Sequence, residues 1–308
     1  MIINTGSRTD IPAYYSEWFY NRIREGFVCV RNPYYPEQVI RYRLAPDVVD
    51  CLVFCTKNPE PMLSRINALD AFRQYWFVTI TPYGKDIEPN VPSKERVMES
   101  FCRLSEKAGI SSVGWRYDPI FISDKYTLDF HLNAFEKMAG QLSGYVDHCV
   151  ISFIDLYEKT KRNFKGVREV SRKERITIGR EFVRIGRKHG IMIRTCCEGD
   201  ELAEFGIDCS GCMTQKVIER VIECTLDVPR MKLPREGCDC LLGSDIGAYN
   251  TCGHGCLYCY ANYDMDIVRQ NMKQHNPHAP VLIGHIAPWE QVKTARQESW
   301  LDGQMRLF

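Results

Sequence analysis

Within eight residues the chain carries three thiols, Cys252, Cys256 and Cys259, spaced C-x3-C-x2-C, and this run constrains the molecule more than any other. Three sulfurs so close in sequence predict an inorganic centre. Gly253 and Gly255 permit the backbone angles that aim successive thiolates inward, so the loop can wrap one corner of a cubane cluster. On a [4Fe-4S] cluster three protein ligands leave one iron for an outside ligand. Spacing alone leaves two other readings open: a zinc site completed by His254 or a distant cysteine, and a cluster used for electron transfer. His254 itself reads as a residue that shapes the turn.

With Tyr258 ahead of its third cysteine, the run resembles the cluster loop of the radical S-adenosylmethionine (SAM) enzymes. The resemblance implies that SAM chelates the open iron through its amino and carboxylate groups. It also implies that one electron from the reduced cluster splits SAM and yields a 5′-deoxyadenosyl radical, and that a donor such as flavodoxin or ferredoxin supplies that electron. More narrowly, the phrase from Asp245 to Cys252, running on into Cys259-Tyr260-Ala261-Asn262, resembles a bacterial family known as domain of unknown function 1848. The openings Ser7-Arg8-Thr9-Asp10-Ile11-Pro12 and Trp115-Arg116-Tyr117-Asp118-Pro119-Ile120 match that family too, so the likeness spans essentially the whole chain. It brings no substrate with it. In most of the superfamily the three-cysteine loop follows the first strand, whereas here it comes late, which implies a permuted or capped arrangement. No Gly-Gly-Glu follows the second apolar run, so SAM contacts do not carry over position by position.

The other thiols extend the theme. Of fifteen cysteines, ten lie between Cys196 and Cys259. Without a basic, then apolar, then small-residue leader, the chain reads as cytoplasmic, where thiols stay reduced and bind metals. The five earlier ones, Cys29, Cys51, Cys55, Cys102 and Cys149, read as small buried hydrophobes. No apolar run approaches the roughly 20 residues that span a bilayer. A net charge of +1 gives no electrostatic sign of nucleic-acid binding, although a basic groove remains compatible with it.

Six apolar runs alternate with helical patterns: Ile2–Gly6, Cys51–Thr56, Trp76–Thr81, Val113–Tyr117, Cys149–Phe153 and Ile191–Thr195. The helical patterns run from Pro12 to Gly26, Met62 to Phe72, Lys94 to Ala108, Leu128 to Leu142 and Ser171 to His189. The alternation predicts parallel strands with right-handed crossovers in an α/β fold, a partial (β/α)6 TIM-like barrel formed by residues 1–195. A full eight-stranded barrel is the alternative. Residues 196–308 then form a cysteine-rich cap carrying two metal sites and folding back over the barrel mouth. A helix through Ile267 and Met272 follows the loop, and Val281–Gly284 reads as an edge strand or a buried plug.

The second metal site is expected at Cys196, Cys212, Cys238 and Cys240, four thiolates that would close an auxiliary [4Fe-4S] cluster or a structural zinc site. Nearness to the first loop favours iron and sulfur. In folds of this kind functional groups gather at the carboxyl ends of the strands. Arg116, Asp118 and Asp155 are therefore the candidate catalytic residues, and Tyr258, Asn58 and Arg194 the candidate cofactor contacts. Loop-tying salt bridges explain such charged pairs equally well. Two other readings accompany the radical enzyme: a non-enzymatic metal-binding protein, and a hydrolase or lyase using Asp118, Asp155 or His131 with purely structural metals.

Overall fold

The computed structural model describes residues 1–155, 164, 166–230 and 237–302. Lys159, Lys161, Arg162, Glu236 and the tail from Gly303, all read in the sequence, lie outside the described residues. In chain order the strands are β1 (Ile2–Asn4), β2 (Phe27–Arg31), β3 (Gln38–Arg43), β4 (Cys51–Thr56), β5 (Gln74–Thr79), β6 (Val113–Ile120), β7 (His148–Phe153), β8 (Met192–Thr195), β9 (Ser244–Asp245) and β10 (Gln291–Thr294). The helices are α1 (Ile11–Tyr14), α2 (Ser16–Glu25), α3 (Glu60–Leu63), α4 (Lys94–Ala108), α5 (Leu128–Leu142), α6 (Arg172–His189), α7 (Gln215–Ile222) and α8 (Met265–Lys273).

All six apolar runs pair in one seven-stranded sheet, ordered β8-β7-β6-β5-β4-β1-β9, with every neighbouring pair parallel. The side-chain period of two sorts each strand between two faces. Leu52, Phe54, Trp76, Val78, Trp115 and Ile151 pack on one face with Phe19, Phe101, Phe135 and Phe182 from α2, α4, α5 and α6. Their neighbours Cys51, Val53, Tyr75, Phe77 and Val150 pack on the other with Val217, Ile218 and Val221 of α7, and with Cys196, Cys212, Cys238 and Cys240. Burying each large apolar side chain contributes about 1.5–3 kcal/mol, which is why continuous apolar runs were legible as strands covered on both faces.

Helix ends follow local chemistry. Ser93, Thr127 and Thr214 cap α4, α5 and α7 through their hydroxyls, and Ser171 with Glu174 forms a capping box on α6 that ends at left-handed Gly190. The pattern from Met62 to Phe72 does not make one helix. It breaks into α3 and a 3-10 turn over Ile66–Leu69, which suffice to bridge the adjacent strands β4 and β5.

Two features went unread in the sequence. β2, β3 and β10 form a small separate sheet, with β2 antiparallel and β10 parallel to β3. The two-residue β9 extends the main sheet beside β1, pairing Ile3 with Ser244 and Asn4 with Asp245. Val281 and Leu282 are buried without becoming a strand. Among the described residues no helix is long and apolar enough to cross a membrane.

β9 is seated by a close backbone approach at Gly243, whose φ is +64° and where an added Cβ would lie 2.4 Å from the Ile2 carbonyl oxygen. Gly243→Ala should therefore destabilise the protein by roughly 1–3 kcal/mol through strain and clash. Gly26→Ala, at φ +74° with open space around it, should cost less. Chemical denaturation of the two variants checks the ordering.

Candidate metal centre

A cavity of about 560 Å³ opens at the carboxyl ends of the strands and is lined by eight cysteines: Cys55, Cys196, Cys212, Cys238, Cys240, Cys252, Cys256 and Cys259. Each segment reaches it for a local reason. β4 ends at Cys55 and Thr56, β8 runs directly into Cys196, and the loop after β9 carries the last three thiols.

That loop is held by its own backbone. Asn90 Nδ2 donates to Gly253 O at 2.8 Å, His254 O accepts from Asn90 N at 3.1 Å, and Leu257 N donates to Ile87 O at 3.1 Å. His254 faces Tyr14 Oη at 3.1 Å with Nδ1 and Asp10 Oδ2 at 2.8 Å with Nε2, so both ring nitrogens are engaged. Asp10 also caps α1 by accepting from Ala13 N and takes Lys57 N at 2.8 Å, tying the loop to the ends of β1 and β4. Burial pushes the Cys252 thiol well above its ordinary range, and negative charge on Asp10, Cys259 and Cys256 adds to the effect. Cys256 is pushed up to about 12 by burial, against the pull of Lys57. A bound cation reverses this logic and favours the thiolates.

Beside the loop lies a charged knot centred on Glu88, whose side chain is fully buried. It accepts from Lys57 Nζ at 2.8 Å and Thr81 Oγ1 at 2.7 Å, and also from Lys94 and Tyr258. Burial alone would raise the Glu88 carboxyl, but Lys57 and Lys94 outweigh it and bring it to about 2.

Across the cavity, Cys196, Cys212 and Cys240 place their sulfurs within 4.8 Å of one another, a buried group that can hold a metal ion or cluster. The separations are 3.2 Å from Cys212 to Cys196 and 3.6 Å from Cys212 to Cys240. Cys238 is buried and lines the cavity but stands outside the triad, and Cys209 does not line it. Hydrogen bonding to its two sulfur neighbours and burial push Cys212 well above the ordinary thiol range.

Arg116, Asp118, Asp155 and Tyr258 line this cavity. Arg116 Nη2 lies 2.6 Å from Asp118 Oδ2, and its Nη1 faces Cys212 Sγ at 3.8 Å. Ser152 donates to the other oxygen of Asp118. Asn58 and Arg194 do not line it. Asn58 Oδ1 accepts from Glu60 N at 3.3 Å, and Arg194 is buried against Asp208 at 3.3 Å. His131 is fully buried, bonded through its two nitrogens to Tyr117 and Phe121, away from the cavity. Cys55, read as a plain hydrophobe, faces the cavity, because its position in β4 falls on the sulfur-lined side. Glu198 was also passed over as a site residue. It lines the cavity, accepts from Phe153 N at 2.8 Å, and burial raises its carboxyl to about 7.

A family model described as a domain of unknown function, DUF1848, matches residues 2–261, a span that includes β1 through β9 and the whole three-cysteine loop. The chain belongs to that family. No match is found among curated proteins. The matched span of this DUF1848 protein contains all eight cavity cysteines and the Glu88 knot.

Removing the Glu88 charge from the DUF1848 chain strands two lysines, so Glu88→Gln should cost about 3–5 kcal/mol. Because the folded carboxyl sits below its ordinary 4.5, at about 2, its contribution is complete above pH 4.5 and is lost as pH falls through about 2. Acid denaturation of the variant should lack that limb, as read by the denaturation midpoint against pH.

Proposed function

We propose that this chain is an iron–sulfur enzyme of the radical SAM type, in which Cys252, Cys256 and Cys259 hold a [4Fe-4S] cluster with one iron left for SAM. One topological observation carries the reading. The three-cysteine loop follows β9, and β9 lies parallel beside β1 at the edge of the row β9-β1-β4-β5-β6-β7-β8. Counted in space, the loop therefore follows the first strand of the row, the place it holds in the enzymes it resembles. On this reading the sheet is a permuted partial barrel, with residues 1–195 as its core and 196–308 supplying its first strand and a cap over its mouth.

The donor set suits such a cluster by its chemistry, since the three loop thiols line one cavity, although their sulfurs are not drawn within 4.8 Å of one another as those of Cys196, Cys212 and Cys240 are. Three thiols come from one loop, while the polar groups beside them already have partners: His254 with Tyr14 and Asp10, Lys57 and Tyr258 with Glu88. None is poised as a fourth ligand. The 560 Å³ cavity falls within the roughly 300–1,000 Å³ usual for cofactor sites. When bound and reduced, a cluster of this type supplies the electron that splits SAM and starts hydrogen abstraction from a substrate.

The chain's own groups then position and shield. Tyr258, packed near Tyr83 and fixed by Glu88, walls the loop against water. Arg116, with Asp118 and Asp155, provides polar contacts for the cofactor's charged end or for the substrate. The oxygen-sensitive centre suits a reducing cytoplasm and an electron donor such as flavodoxin or ferredoxin.

Anaerobic reconstitution should give broad visible absorption, roughly four irons at this loop, and 5′-deoxyadenosine from SAM and reductant. Cys259→Ala should abolish 5′-deoxyadenosine formation and remove that iron. A protein that takes up no iron, or one whose SAM cleavage survives Cys259→Ala, would refute the reading.

A further inference from the structure

We propose that Cys196, Cys212 and Cys240 hold a single tetrahedral ion of the zinc class rather than a second cubane, and that its fourth position faces the shared cavity. The inference goes beyond the radical reading and does not depend on it. Zinc–thiolate bonds of about 2.3 Å in a tetrahedron set neighbouring sulfurs about 3.8 Å apart. The sulfurs of Cys212 and Cys240 stand 3.6 Å apart, and those of Cys212 and Cys196 stand 3.2 Å apart. A cubane spreads its thiolates over different irons, so its sulfurs stand wider than those that share one ion. The observed group is too tight for that.

The surroundings are those of charged sulfur. Met213 N donates to Cys240 Sγ at 3.4 Å, and the Arg116 guanidinium faces Cys212 Sγ at 3.8 Å. Donors of this kind orient thiolate ligands and offset their charge. Gly211, at φ +118°, lets the chain turn beside Cys240, where an added Cβ would meet the sulfur at 3.5 Å. The three ligands come from separate places, the end of β8, the turn before α7 and the segment before β9, so one ion ties three segments together. Thiolates select the zinc class over magnesium, calcium or manganese.

The fourth position follows from the ligand count. Structural zinc sites close with four protein ligands, whereas sites that do chemistry keep three and leave one corner open. Among the described residues three sulfurs gather and line the cavity, while Cys238 lines the same space outside the group. The open corner therefore points at the volume that the three-cysteine loop also borders.

The test uses the full-length chain carrying Cys256→Ala, in which the other loop is incomplete. Metal analysis should find about one zinc per chain there, and adding Cys212→Ala should lower it roughly tenfold. Iron with sulfide in place of that zinc would overturn the proposal. Since Cys212→Ala can impair folding, cobalt in the otherwise intact triad provides a second readout: intense thiolate-to-cobalt absorption of tetrahedral form, shifted by a small added thiol. A weak octahedral spectrum would overturn the single-ion assignment. Cys238→Ala should keep both the zinc and the thiol-induced shift, and loss of zinc in that variant would overturn the open fourth position. Failure of SAM cleavage leaves these outcomes unchanged, so the two readings fail separately.

Discussion

Thiolates crowded around one cavity repel one another unless positive charge stands among them, and eight cysteines line this one. Hydrogen bonding to Cys196, with burial, raises Cys212 and Cys240 above the ordinary thiol range, and burial does the same for Cys252 and Cys256. In a reducing medium such a cavity is either a set of protonated thiols or a metal-filled site. The protein supplies some positive charge itself, through Lys57 near Cys256 and Arg116 near Cys212. Each of those cations is also paired, with Glu88 and Asp118 respectively, and is therefore fixed in place but largely neutralised. Of the two cysteine sets, Cys196, Cys212 and Cys240 stand close enough together to hold a metal ion.

Bringing those sulfurs together is a matter of chain path. Cys55 and Cys252 are almost two hundred residues apart in sequence, yet both reach the cavity because β9 lies beside β1, and β1 beside β4. The pairing of β9 is short, so side chains reinforce it. Asp245 accepts from Ser7 N at 2.7 Å and pairs with Arg8 at 2.8 Å, while Asp10 takes His254 from the loop beyond. These contacts explain why the polar cluster Ser7 to Asp10 follows the first strand. Arg8 and Asp10 serve to dock the late segment of the chain.

How much of this was legible depended on whether the signal was local. The six main strands announced themselves as continuous apolar runs, and α4, α5 and α6 by their helical patterns. β9 could not be read, because Ser244 and Asp245 carry no apolar pattern and owe their strand geometry to β1. β10 is exposed along its whole length, so burial left no trace in its residues. β2 and β3 are short, and the charged residues of Gln38–Arg43 left only a weak apolar signal in β3. Arg116, Asp118 and Asp155 were expected at the carboxyl ends of the strands, and all three line the cavity there. Arg194 misled for a physical reason: it points from β8 to the same side as Cys196 but lies a turn of the pleat deeper, against Asp208 rather than in the cavity.

Arg116 joins the two cysteine sets into one arrangement. It sits on β6 near the middle of the sheet, with Asp118 two residues on and therefore on the same face. One nitrogen reaches Cys212 and another holds Asp118, whose second oxygen takes Ser152 from β7. A charge change at the triad is thus felt by a carboxylate that borders the space shared with the three-cysteine loop. Arg116 and Asp118 thereby border the cavity that both cysteine sets line.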